Sequence, residues 1–386
     1  MNAAALAPVL LGLALICTAI LDVCVTVLHT QVESPISNGL ARALWRILTR
    51  ITGPVPDELR GAMLAWGAPI MIVGIMVFWA GLLVIGFALL ALPMIHDSTF
   101  YAVHETHGAS PLEDAVYESS VTFLTIGYGD IVPIHWLPRA LNVIQGGLGL
   151  LTISMAVTYL LSVYALIPRK LALAVALNQE TGGRSDAVEI AAWYVAPGRF
   201  EMLGERLRML NDELLYLAQA HGFFPVLYYV RPRNVHESFA RMLVIMQGMV
   251  GTLRYCLDAQ ENSDVVDDPR LLNLEEGFLY TLRLLARSSH LAPGPYEDDV
   301  GAIMAEYAAT LAELKAIGLA VPEPSSEAAA HFLHFRRATD RYVAAYAQNV
   351  AYSPEAVRNT YSLFTDRTPM VRIVAAPGRT RDAAGE

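Results

Sequence analysis

The sequence predicts an all-α membrane protein: three transmembrane helices, a short re-entrant helix between the last two, and an all-α domain outside the lipid. Three observations carry this. Of the 386 residues 54% are hydrophobic and only 17% charged, against about 25% charged in soluble domains. Three apolar stretches are each long enough to cross a bilayer once. Beyond residue 168 the pattern turns to amphipathic helical periodicity. The net charge of −10 argues against nucleic acid as a partner. Cys17 and Cys24 lie in the first apolar stretch and Cys256 far downstream. That is no disulfide framework, and it suits a polar region kept in reducing cytosol.

Residues 1–30 form the first span, apolar from about Ala3 to Leu28 and broken only by Asp22. No Lys or Arg precedes it and no small-residue cleavage site closes it, so it reads as a retained helix and not a signal peptide. A carboxylate inside a span is a functional candidate. The favoured reading of Asp22 is structural: a hydrogen bond to Thr26 or to a neighbouring helix, or reach to Arg42. Cys17 and Cys24, seven apart, share a face and read as packing residues.

Residues 31–61 form a loop with Arg42, Arg46 and Arg50, interleaved with Leu44, Trp45, Ile47 and Leu48. That spacing predicts an amphipathic helix on the inner membrane face; a basic linker is the alternative. The second span lies within Gly61–Ile95, which has no charged residue, and Pro69 marks the end of its interfacial lead-in. The third runs from Ala140 to Ile167, where Pro168 is expected to end or kink it. Basic residues set the orientation. Arg42, Arg46, Arg50 and Arg60 flank one side of the spans and Arg169 and Lys170 follow the third, whereas His96–Pro138 has no Lys or Arg. The loop 31–60 and all residues after 168 are therefore expected in the cytosol of a cell membrane protein, with the N-terminus and 96–138 outside.

Between the last two spans, Ser110, Pro111 and Glu113 spell a capping box with proline at the first helical position. About thirteen residues of helix follow, too few to span. If this helix dips inward, its C-terminal carbonyls turn a partial negative charge toward the membrane centre. It leads into Thr125-Ile126-Gly127-Tyr128-Gly129-Asp130. Successive carbonyls face one axis only if the backbone alternates with φ > 0 conformations, which glycine adopts without steric penalty. Such stacked oxygens, with the Thr125 hydroxyl, can replace the hydration shell of a potassium ion. Ile126 and Tyr128 would pack away from the axis, and Asp130 would cap the mouth. The acids of the outer segment, Asp97, Glu105, Glu113, Asp114, Glu118 and Asp130, would concentrate cations there.

The stretch Tyr117–Pro133 resembles the pore of the tetrameric potassium channel family, with Thr122, Thr125, Gly127, Tyr128, Gly129 and Asp130 in register, and the resemblance covers about residues 62–168. It implies a homotetramer in the bilayer, with potassium held by the carbonyls of Thr125, Ile126, Gly127 and Tyr128 and by the Thr125 hydroxyl. Thr122 and Asp130 then support the filter. Ile126 replaces the commoner valine, and Tyr117-Glu118 stands where many members have two aromatics, which puts the side-on support of the filter in doubt. In the third span Gly146, Gly147 and Gly149 weaken the helix locally. Gly149 matches the family's gating hinge, while Gly146 and Gly147 read as close-packing residues. The function so implied is passive potassium conduction gated through the C-terminal domain. A potassium transporter subunit and a membrane sensor with a vestigial pore are the alternatives. No enzyme chemistry and no cofactor is expected.

Residues 169–365 are expected to form a helical regulatory or assembly domain, with helices at 200–218, 236–257, 271–285, 298–317, 326–348 and 354–364. Pro225–Val230 is its one β-like run, and residues 366–386 read as a disordered tail. No dinucleotide fingerprint and no arginine ladder within a span is present. The gating ligand or partner stays unread. His104 and His107, and His331 with His334, are spaced for metal or proton binding, but exposed pairs of this kind rarely bind.

Overall fold

The computed structural model describes residues 3–28, 34–103, 110–288 and 299–360. The chain divides into two compact units, residues 1–51 with 66–165, and residues 52–65 with 166–386. The outer histidines His104 and His107, Glu105 and the expected tail lie outside the described residues.

The first half of the chain forms α1 (Ala3–Leu28), α2 (Pro35–Ile51), α3 (Asp57–Leu64), α4 (Gly67–Ala91), β1 (Tyr101–Val103), α5 (Pro111–Phe123), β2 (Ile131–Pro133) and α6 (Trp136–Glu180). Segments Leu6–Leu28, Leu59–Ala91 and Trp136–Glu180 are long and apolar enough to cross a membrane. In the first unit α1 packs along α4. A Cβ on Gly12 would sit 2.5 Å from the Gly86 carbonyl oxygen, and one on Gly86 would sit 2.6 Å from the Ile16 side chain. Small residues at a crossing let two backbones approach, which is how helices gain contact in lipid. Ile16, Ala19, Leu83, Phe87, Leu90 and Phe123 form the adjoining core. The amphipathic helix expected in the loop is α2. Its Trp45 and Leu44 press on Gly67 and Gly74 of α4, at 2.6 and 2.8 Å from where side chains would start.

Asp22 is buried and bonds to neighbouring helices, one of the expected arrangements, and not to Thr26 or Arg42. It accepts hydrogen bonds from the Ser34 hydroxyl, the Ser37 hydroxyl at 2.5 Å, the Ser37 amide at 3.3 Å and the Trp79 indole at 2.6 Å. Thr26 Oγ1 is buried with no hydrogen-bond partner, and Arg42 donates to the Asn38 carbonyl. The physical reason is the start of α2, whose first-turn N–H groups are unpaired and partly positive. Asp22 therefore joins α1, α2 and α4 as a structural group. The break expected at Pro168 does not occur, and α6 continues through it to Glu180. Proline removes one backbone donor, and the side chains immediately after it are fastened firmly. Arg169 makes a bidentate pair with Glu213 at 2.8 and 2.7 Å and lies 3.8 Å over the Tyr216 ring.

The second unit continues with α7 (Val188–Ile190), which runs on into one π-helical turn at Ala191–Val195, then α8 (Phe200–Phe223), α9 (Phe239–Tyr255), α10 (Ser263–Val266), α11 (Pro269–Ser288), α12 (Val300–Ala316), α13 (Glu327–Asn349) and α14 (Pro354–Arg358). The run Pro225–Tyr229 is a 3-10 turn instead of a strand. Pro225 lacks an N–H for a sheet ladder, and Leu227 donates locally to Phe224 O at 2.9 Å. Helix α9 is buried along nearly its whole length and packs against α13 and α11, while α8 packs against α11.

Buried charges pin this unit. Lys170 is buried; its Nζ donates to the Leu227 carbonyl at 2.7 Å and lies 3.1 Å from His221 Nε2. Burial, then the Lys170 charge, hold His221 well below the usual histidine range. The neutral ring donates from Nδ1 to Leu217 O at 2.7 Å, which leaves Nε2 to accept from Lys170. Asp340 accepts from Gln247 at 2.8 Å, Arg336 at 3.2 Å and Arg358 at 2.6 Å. Removing one partner of a buried ion pair strands the other charge. Asp340→Ala is therefore expected to destabilise this unit by about 3–5 kcal/mol, and Asp212→Ala, in an exposed pair with Arg208, to change its stability far less. Urea denaturation of the full chain in detergent, followed by far-UV circular dichroism, compares the two.

Candidate functional site

Helix α5 starts as the sequence predicts. The Glu113 amide donates to Ser110 Oγ at 3.4 Å, and the Ser110 amide donates to Glu113 at 2.7 Å. The helix spans Pro111–Phe123. Its last turn hands directly into the loop, because Thr125 N donates to Thr122 O at 3.1 Å and Ile126 N to Val121 O at 2.9 Å.

From there the backbone alternates. φ is +56° at Thr125, +66° at Gly127 and +82° at Gly129, while Ile126 and Tyr128 keep negative φ. Alternating handedness turns successive carbonyls to one side of the strand. Glycine takes φ > 0 without penalty, whereas a residue with a Cβ such as Thr125 is strained there by roughly 1–2 kcal/mol. The sequence pattern announces the two glycines but not the threonine. Its conformation follows from the two amide bonds to the end of α5, which depend on the folded turn. The strand presents backbone carbonyls and one hydroxyl, a set of neutral oxygens suited to a dehydrated cation.

Three side-chain systems hold α5 and this strand. Ser119 Oγ donates to Val84 O of α4 at 2.7 Å, and Gln145 of α6 donates to Ser119 O at 2.8 Å and to its hydroxyl at 2.6 Å. Glu118, buried, accepts from Asn142 at 2.5 Å and from Thr122 at 3.3 Å. Tyr117 donates to Asp130 at 2.7 Å. Tyr117 and Glu118 thus bond to groups around the loop where an aromatic pair was the commoner expectation. Sequence reasoning missed Ser119, Asn142 and Gln145, since single polar residues on apolar helices carry no spacing signal. Outside, β1 and β2 pair antiparallel, Tyr101 opposite Pro133 and Val103 opposite Ile131, and tie the segment after the loop to the one before α5.

Two acids at this end, Asp97 and Glu113, are biased toward the charged form. Thr99, through its hydroxyl and then its amide, holds Asp97 below its usual range, and Ser110, through its amide and then its hydroxyl, does the same for Glu113. Asp114 lies 2.7 Å from His96 Nε2. His331 is paired only loosely with Glu327, at 3.8 Å. Among the described residues no three His, Cys, Asp or Glu side chains gather as a metal site.

Close packing on α6 falls on a different glycine than expected. A Cβ on Gly149 would sit 2.6 Å from the Phe123 carbonyl oxygen, whereas Gly146 has only a contact at 3.9 Å and Gly147 none within 4 Å inside the chain. α6 thus presses on the end of α5 at Gly149.

A short capped helix, a glycine-alternating oxygen strand and two flanking apolar helices define a pore-loop membrane protein. Residues 77–165 match the protein family described as "Ion channel", so the chain carries an ion-channel pore module. Over 257 residues it is 26% identical to an uncharacterized membrane protein, YdjJ, of Bacillus subtilis (strain 168), a likeness covering 65% of this chain and 71% of that protein. It is longer than the family match and so takes in sequence outside the pore module. No solved structure matches.

Because the Phe123 carbonyl belongs to backbone, Gly149→Ala is expected to displace the end of α5 and to weaken ion discrimination in flux assays. Gly147→Ala, with room inside the chain, is the comparison and is expected to change discrimination much less.

Proposed function

We propose that this chain is one subunit of a homotetrameric, potassium-selective channel that conducts passively across the cell membrane. The observation that carries the reading is the alternation of positive φ at Thr125, Gly127 and Gly129 behind a helix whose C-terminus faces the loop. Potassium, as the transported ion, would be held by the carbonyls of Thr125, Ile126, Gly127 and Tyr128 and by the Thr125 hydroxyl, with Thr122 and Asp130 as supports. One strand cannot surround an ion, so several copies must meet. The exposure of Ile126 at 48% and Tyr128 at 68% in the single chain is what neighbouring copies would cover. The basic residues support an external N-terminus and a cytosolic second unit.

Gating is proposed to run through that unit. Support comes from α6, which passes Pro168 unbroken and is clamped by Arg169 and Lys170 to α8 and to the turn after it. Gly149 is the proposed bending point.

Gly127→Ala or Gly129→Ala adds a Cβ at positive φ, worth roughly 1–2 kcal/mol per residue, and is expected to abolish preference for potassium over sodium in proteoliposome flux while membrane insertion persists. Unchanged preference refutes the filter assignment. Native mass measurement in detergent is expected to give four chains; a monomer or dimer alone refutes the tetramer.

A flexible chain transmits no strain. A Gly/Ser segment spliced between Pro168 and Arg169, ahead of both clamps, should therefore change open probability in single-channel recordings while leaving selectivity intact. Equal open probability across pH and ionic conditions removes the gating role.

A further inference from the structure

Helix α8 carries an apolar stripe that the described residues leave about half exposed. Met202, Met209, Tyr216 and Phe223 recur at intervals of seven and are exposed by 61%, 51%, 43% and 42%. The core face of α8 is made by Leu203, Leu207, Leu210, Leu214 and Leu217, roughly 140° away around the helix at about 100° per residue. The stripe is about 32 Å long at 1.5 Å rise per residue. A strict seven-residue repeat keeps one seam facing a partner helix. Methionine and aromatic side chains supply adaptable contact area for such a surface.

The charges beside the stripe say what it fits. Arg206 pairs with Glu180 at 2.5 Å, Glu213 with Arg169 at 2.7 Å, and Arg208 with Glu205 at 2.9 Å and Asp212 at 3.4 Å. The arginines are thus neutralised inside the chain. An anionic lipid surface would be met by unpaired basic residues on the polar edge, and a charged peptide by a net charge of the opposite sign. A paired-charge rim around an apolar centre is instead the composition of a protein–protein contact. Tyr216, third in the stripe, is also the ring under Arg169 of α6. Any assembly that gathers four α6 helices therefore brings four copies of this stripe with it.

We propose that the α8 stripe is a second assembly contact, occupied by the cytosolic unit of another copy of this chain. The inference rests on the multi-copy reading of the pore. A photo-crosslinking amino acid at position 209 of the full chain in liposomes is expected to give adducts of two or more chain masses, mapped to another copy's second unit, while the same probe at His334 serves as background. Adducts confined to lipid, to residues 361–386 of the same chain or to background level overturn the proposal. Met202→Glu with Met209→Glu is expected to lower the dissociation temperature of the detergent-solubilised assembly at unchanged helix content. An unchanged dissociation temperature counts against it equally. The native mass of the unmodified chain separates the two readings. A tetramer without stripe adducts overturns only this contact, and a monomer overturns the pore reading as well.

Discussion

A strand whose carbonyls all point one way cannot hold itself. Aligned oxygens repel one another, and alternate residues sit at positive φ. In Thr125–Gly129 that conformation is imposed from outside, and the surrounding unit is organised around imposing it. The last turn of α5 fixes the Thr125 and Ile126 amides. Tyr117 holds Asp130 at the far end, and the β1–β2 pair ties down the segment that follows. Glycine removes the strain at two of the three positive-φ positions, and the helix end holds the third.

Because α5 carries the strand, whatever positions α5 positions the oxygens. Polar bonds do this from both sides, Ser119 to α4 and Gln145 to Ser119 from α6. In an apolar setting such bonds are specific because few other partners exist. Glycines do the rest. Gly149 brings α6 onto the Phe123 carbonyl, and Gly12 with Gly86 brings α1 onto α4. Asp22 adds a hydrogen-bonded join of α1, α2 and α4, in which the open N-terminal turn of α2 and the Trp79 indole take the place of water.

The second unit uses a different physics. Its leucine-rich helices bury ordinary apolar surface, and a few buried ions choose the arrangement. Arg241 donates to Gly183 O at 2.6 Å and to Val357 O at 2.8 Å, which draws distant parts of the chain onto α9. Lys170 does the same for α6, α8 and the turn at Leu227. An ion buried with dedicated oxygen or nitrogen partners tolerates few alternative packings. It thereby fixes which helix faces which.

Long apolar runs, two of them charge-free and the first broken only by Asp22, set the three spans in the sequence alone, because lipid admits only helices whose backbone groups are internally satisfied. Ser110, Pro111 and Glu113 likewise determined the start of α5, and two glycines two apart marked where positive φ is free of strain. These features are local, so adjacent residues suffice to specify them. The partners of Asp22, the positive φ of Thr125, the close approach at Gly149, the passage of α6 through Pro168 and the 3-10 turn at Pro225 were decided only in the tertiary structure. Each depends on a group that arrives from elsewhere in the fold: Trp79 57 residues from Asp22, the Phe123 carbonyl against Gly149, Glu213 44 residues from Arg169. No local pattern encodes such distances, because the chain must first fold to bring those atoms within reach.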